Sequence, residues 1–356
     1  MAYTDIDDPS AYFQTAIYTG NGSTIDVVND GNSDLQPDWL WFKCRSNNTD
    51  HGLQDSVRGT ALALQSNANS ADADVGTSQI TAFGSDGFSL AAGGDVNTNN
   101  RTYACWQWKA GTSFTNDASS TSVGTIDSVG SINTDAGFSI QTWTGTGANG
   151  TVAHGLGVTP SVMIIKRRDD TADWIVYHDK NTAAPETDYL ILSSTAATGD
   201  YAAHFNDTAP TSSLFTVGSD VGVNASSGTF IAYCFAEKQG YSKFGKYTGN
   251  GNANGAFVYT GFKPAFVMLK PTAISEQWIM HDGTRDPYNF TKRYTFANET
   301  ESEASGGTHG IDLLSNGFKI RTSNNNWNTT NGSGIIYMAF AENPFVTSKG
   351  VPATAR

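Results

Sequence analysis

The chain has 356 residues, and only 15% of them are charged, against about 25% in an ordinary soluble domain. Acidic residues outnumber basic ones 34 to 21, a net charge of −13 that excludes a sequence-independent phosphate-binding surface and with it nucleic acid as a partner. No apolar run approaches the roughly 18 residues of a spanning helix, so membrane insertion is not expected.

Thirty-seven glycines with abundant Ser, Thr and Asn are the palette of an all-β chain with many turns. The start carries Asp5, Asp7 and Asp8 where a secretion signal would carry positive charge, so an unprocessed chain is expected. Cys44, Cys105 and Cys234 stand singly inside apolar stretches. They read as buried small hydrophobes of a reducing compartment, without zinc or disulfide spacing.

In chain order, an arm at 1–17 leads to Tyr18-Thr19-Gly20, a triplet that recurs as Trp143-Thr144-Gly145 and Tyr247-Thr248-Gly249. After each comes a proline and an apolar run closed by lysine: Pro37 to Lys43, Pro160 to Lys166 and Pro264 to Lys270. An aromatic-rich strand follows, ending in His178-Asp179 in the second copy and His281-Asp282 in the third. The first copy has the looser His51 to Asp55. Each copy then has a glycine- or serine-flanked phenylalanine, Phe88, Phe215 or Phe318, and closes on an apolar strand ending at Trp108, Phe235 or Phe340.

Short apolar runs separated by Gly, Asn, Asp and Ser, with no 3.6-residue period, read as strands. The expected fold is therefore all-β: three similar antiparallel β-sandwich domains in tandem, jelly-roll-like, at 18–110, 142–238 and 247–345. A connector at 111–141 carries one or two extra strands among Ile126, Val129, Ile132 and Phe138 to Ile140; a short linker spans 239–246 and a tail 346–356. The lysine-closed runs are apolar on both alternating faces, so each should be a central strand covered on both sides, by its own second sheet and by a neighbouring domain or subunit. The proline before each fits a strand's first position or an edge.

Candidate chemistry is sparse. A carboxylate beside imidazole can orient a base, but neighbours on a strand point to opposite faces, so the two His-Asp pairs favour a turn role over catalysis. No nucleophile elbow, metal-binding His-Glu-x-x-His or EF-hand pattern occurs, and no catalytic residue is nominated. Asp72 with Asp74, or Asp169 with Asp170, could supply calcium oxygens; solvated acidic loops are the commoner outcome, and no metal or cofactor is assigned. Trp39, Trp41, Trp106 and Trp108 alternate within apolar strands, the pattern of core or interface packing. Trp39, Trp41, Phe266 and Phe345 are thus the candidate assembly residues. Trp327 stands in a polar loop between Asn326 and Asn328, and these three are the candidate ligand-binding residues, an exposed ring among amides.

The opening Ile6-Asp7-Asp8-Pro9-Ser10-Ala11-Tyr12-Phe13, the Tyr-Thr-Gly starts, Phe83-Gly84-Ser85-Asp86-Gly87-Phe88 and the ending Ala341-Glu342-Asn343-Pro344-Phe345 resemble repeat-built virion proteins of marine tailed bacteriophages, including tail-fibre-like ones. The resemblance supplies no catalytic or binding residues. It implies a non-enzymatic virion surface protein, a capsid decoration or knob or a tail-attached module. Such a protein is made in the host cytoplasm, assembles as a homo-oligomer and docks on capsid or tail proteins. The alternative is an adhesin binding a host-surface glycan, and behind it a polysaccharide-depolymerising tailspike. Three like bodies could also sit about a pseudo-threefold axis.

Overall fold

The computed structural model describes residues 3–330 and 332–352, so the end of the tail, 353–356, lies outside the described residues. Three large antiparallel sheets share one strand order. The first runs Phe13–Thr19, Thr102–Trp108, Trp39–Cys44, Gly52–Asp55, Gly59–Leu64, Ala73–Asp74. The second runs Phe138–Thr144, Thr229–Phe235, Val162–Arg167, Ile175–His178, Asp188–Ile191, Gly199–Asp200. The third runs Ser242–Thr248, Gly334–Pro344, Phe262–Pro271, Ile279–Asp282, Arg293–Phe296, Ala304–Ser305. In each, the strand that closes the unit in sequence lies between the first strand and the lysine-closed one. Small sheets complete three two-layer units: Ile25–Val27, Gly87–Leu90 and Ile80–Gly84; Gly150–Ala153 with Leu214–Val217; and Phe257–Tyr259, Gly317–Ile320 and Ile311–Leu314.

The connector forms a hairpin, Thr112–Asn116 and Ser128–Asn133, that adds two strands to the open edge of the second large sheet. An uncovered edge presents unpaired backbone groups, and this hairpin covers one. The aromatic-Thr-Gly triplets end the first strand of each unit instead of opening it, so the expected starts at 18, 142 and 247 fall inside strands. The glycines are required there by close approach. A Cβ on Gly20, Gly145 or Gly249 would come within 2.4, 2.2 and 2.4 Å of the backbone of Thr98, Ala225 and Thr329. Pro264 departs from expectation, because it lies within its strand. Register shifts on either side of it form a bulge, which takes the position without an N–H out of the ladder.

The central strands are buried along both faces, as their composition predicts. One face of each packs on the unit's own small sheet, giving three local cores around Phe88, Phe215 and Phe318. The other faces meet in a single core drawn from all three units. At its centre the three closing aromatics touch one another: ring centroids are 6.4 Å apart for Trp108 and Phe235, 5.6 Å for Trp108 and Phe340, and 5.7 Å for Phe235 and Phe340. Trp39 joins them, stacked at 4.2 Å on Tyr233 of the second unit. Three equivalent rings in mutual contact define a pseudo-threefold axis through the chain.

Candidate functional site

The polar side chains that the sequence brings to attention lie mostly in the seams between units. Three backbone bonds recur around the ring: Glu303 N to Arg45 O at 3.0 Å, Asp72 N to Arg168 O at 2.7 Å, and Thr198 N to Thr272 O at 2.8 Å. The first unit thus meets the third, the second meets the first, and the third meets the second. The ends of the lysine-closed strands reach the same places. Lys43 Nζ donates to Thr49 O and across the seam to Thr300 O, at 2.6 and 3.0 Å. Lys166 bonds Arg167 O and Asn69 O, and Lys270 bonds Glu276 O and Thr195 O. Each ammonium therefore ties a carbonyl of its own unit to one of its neighbour, and burial brings all three from the ordinary lysine range to about 8.

Beside these bonds sits a carboxylate–guanidinium chain that occurs twice. Asp55 accepts from Arg58 Nε at 2.6 Å and from Tyr233 OH of the second unit at 2.8 Å. Arg58 goes on to Asp72, which also takes Arg168 from the second unit at 2.8 Å. The third unit repeats this, with Asp282 held by Arg285 and by Trp106 Nε1 of the first unit, and Glu303 held by Arg285, Arg293 and the first unit's Arg45. The second unit carries a neutral version. Strand register puts His178, opposite Val162, where Asp55 and Asp282 stand opposite Trp39 and Phe266. Asn181 takes the arginine's place and bonds Thr198 Oγ1 at 2.7 Å.

This register also separates the two His-Asp pairs, which match in sequence but are offset by one residue in the fold. His178 faces the seam, its Nε2 donating to Tyr337 O at 3.2 Å and its Nδ1 accepting from Lys180 N at 3.1 Å. His281 points the other way, into its unit, and accepts from Trp327 Nε1 at 2.7 Å. His51 accepts from Trp41 Nε1 and donates to Phe296 O of the third unit, both at 2.9 Å. None of these imidazoles is oriented by the adjacent carboxylate.

Burial holds His178 down at about 4 and His281 at about 3, and pushes His51 well below its ordinary value. Their folded-state values lie below the unfolded value of 6.5, so the unfolded chain takes up protons first as pH falls. Stability is expected to drop from about pH 6.5 downward, on the order of 3 kcal/mol for His178 alone by about pH 4. Denaturant midpoints measured from neutral pH to pH 4 check this, and a flat profile above pH 5 contradicts it.

The candidate ligand-binding residues are corrected. Trp327 is 1% exposed, stacked on His309 and edge-on to Tyr294, so its ring fills a cavity instead of meeting solvent. Asn328 is fully buried, accepting from Asn250 N at 2.7 Å and donating to Asn252 O and Thr322 O, which leaves it no capacity for a ligand. Asn97 and Asn224 do the same work, pinning the turn after the aromatic-Thr-Gly triplet of their own units. Asn326 is half-buried and receives Gln277 N at 3.0 Å. The polar loop suggested exposure because composition reports nothing about a cavity beneath it.

The candidate assembly residues are placed inside one chain. Trp39, Trp41 and Phe266 lie in the shared core, and of the two covers expected for these faces, a neighbouring domain or a subunit, it is the other units of the same chain that supply it. Those faces therefore ask for no second copy. Phe345 is half-buried against the ring of Tyr3, with its N–H on Gly261 O at 3.1 Å. Of the acidic residues weighed for calcium, Asp72 is engaged by two guanidiniums and Asp169 by Arg167. Among the described residues no three His, Cys, Asp or Glu side chains cluster as a metal site.

Fold and seams together define an all-β antiparallel sandwich protein whose buried polar groups are turned to joining its parts. The chain belongs to the family described as a domain of unknown function, DUF7483, which matches residues 8–344 and so takes in all three units. No curated protein matches it.

Proposed function

We propose that the protein is a non-enzymatic virion surface protein of a tailed bacteriophage, a capsid knob or tail-attached module that works through assembly contacts. The resemblance of its ordered motifs to phage virion proteins suggests the setting. The observation that carries the reading is the meeting of Trp108, Phe235 and Phe340 on one axis, which gives a single polypeptide three like lobes. Such a body matches a threefold-symmetric partner without needing to trimerise. Its histidines at the seams, its buried lysines and its Asp–Arg chains serve the architecture, and a net charge of −13 keeps the surface soluble.

The test is to incubate the labelled full chain with particles lacking it and image them. Density at fixed positions on capsid or tail is the expected result. No association with either overturns the proposal.

A further inference from the structure

The first strand of each unit pairs on one side with the closing strand and turns its other side outward. Ile17, Thr142 and Lys246 stand at one register position in these strands, opposite Ala104, Ile231 and Ile336. The three outer edges are treated differently. In the second unit the connector strand Ser128–Asn133 pairs along the edge, Val129 opposite Thr142 and Ser131 opposite Ile140, and Thr142 is buried. In the third unit Lys246 stands there, its ammonium crossing the seam to Asn181 O at 2.7 Å, and a lysine on an edge strand opposes pairing with another chain. The first unit has neither device. Among the described residues no strand pairs with the outer edge of Phe13–Thr19, and the position holds Ile17, an apolar side chain 45% exposed.

Gly20 N donates to Arg101 O, and Lys109 N to Tyr12 O. The even-numbered residues of this strand therefore bond to Thr102–Trp108, and the N–H and C=O groups of Thr15, Ile17 and Thr19 face outward. Beside them lies a groove of about 310 Å³, lined by Phe13 and Thr15 and, from the third unit, by Ala265 and Thr284. Thr15 is 7% exposed, and its hydroxyl is buried there without a hydrogen-bond partner. At the corresponding seam of the second unit the connector enters. Gly111 N reaches Ser131 Oγ at 2.9 Å, and Ala110 N reaches Asp38, the first unit's equivalent of Ala265, at 2.8 Å.

We infer that the outer edge of Phe13–Thr19 receives an extended strand of a partner protein, added antiparallel as Ser128–Asn133 is added to Phe138–Thr144. The in-chain strand defines the chemistry of the incoming one. It carries a β-branched apolar residue to cover Ile17, where Val129 faces Thr142. Two residues further on it carries a serine or threonine to meet the Thr15 hydroxyl, where Ser131 faces Ile140. Main-chain bonds along such an edge supply affinity, and the alternating side chains supply specificity. The inference deepens the assembly reading by naming the form of the partner's contact, and rests on that reading only in placing the partner on a particle.

The test titrates the full chain with a labelled free peptide of the connector strand, Ile126 to Thr134, following anisotropy and the backbone amide resonances. Saturable binding that shifts the Ile17 and Thr19 amides is expected. Ile17→Pro removes one outward N–H and leaves the bonds to Thr102–Trp108 in place, so it should weaken binding roughly tenfold or more. Ile17→Lys, which copies the third unit's edge at an exposed position, should weaken it as well, whereas Ile17→Thr, which copies the second unit, should keep it. Absence of binding, or unchanged affinity in both Ile17→Pro and Ile17→Lys, overturns the inference. A chain found dimeric through this strand would make a second copy the occupant and overturn it too. A chain that binds the peptide but never a particle sinks the virion reading instead and leaves the edge standing.

Discussion

Replacing Trp108 with alanine is expected to destabilise the whole chain by about 3–5 kcal/mol, the range for emptying an aromatic site in a core. The side chain is 2% exposed and touches Phe13 and Trp39 of its own unit, Phe235 of the second, and Phe266 and Phe340 of the third. The cavity would open where the three units meet, with no unit free to relax into it alone. Trp108→Phe should behave differently. The indole N–H has no hydrogen-bond partner, and phenylalanine already serves at the equivalent positions 235 and 340. Urea denaturation measures both. A cost for Trp108→Ala under about 1 kcal/mol, typical of a surface change, contradicts the axial placement.

Arg58→Ala is expected to cost a similar amount, about 3–5 kcal/mol, for a different reason. Both side chains of the Asp55–Arg58 pair are fully buried, and Arg58 also holds Asp72 and the carbonyl of Leu53. Removing the guanidinium leaves a buried carboxylate facing the phenol of Tyr233 with its cation gone. The second unit shows how the same place is built without a buried ion pair, with His178, Asn181 and Thr198 against Thr272. Replacing Asp55, Arg58, Asp72 and Arg168 together by that neutral set should therefore cost less than Arg58→Ala alone, because no charge is left unpaired. Equal or greater loss in the fourfold variant would show that the ion chain is itself the source of seam stability.

The strands and their internal repetition were legible in the sequence because local rules specify them. The lysine-closed runs needed cover on both faces, and the aromatic-Thr-Gly triplets mark the close approach at Gly20, Gly145 and Gly249. The source of the cover was not legible. A strand apolar on both faces looks the same whether the second layer comes from another subunit or from another part of its own chain. The lysines marked strand ends, but their role depends on carbonyls of a different unit. Trp327 was misplaced because its surroundings in sequence are polar while its surroundings in space are His281, Tyr294 and His309. Two signals went unread: the shared spacing of Tyr189 to His204 and Tyr294 to His309, and the recurring Asp55-x-x-Arg58 and Asp282-x-x-Arg285. The chance match of the two His-Asp pairs masks the second, since His178 corresponds to Asp282 and not to His281.

Scanning calorimetry of the intact chain near neutral pH tests most directly whether three units close around one core. A shared centre predicts one cooperative transition, with calorimetric and van't Hoff enthalpies in agreement. Two or three separable transitions, each with the enthalpy of a single sandwich, would contradict it.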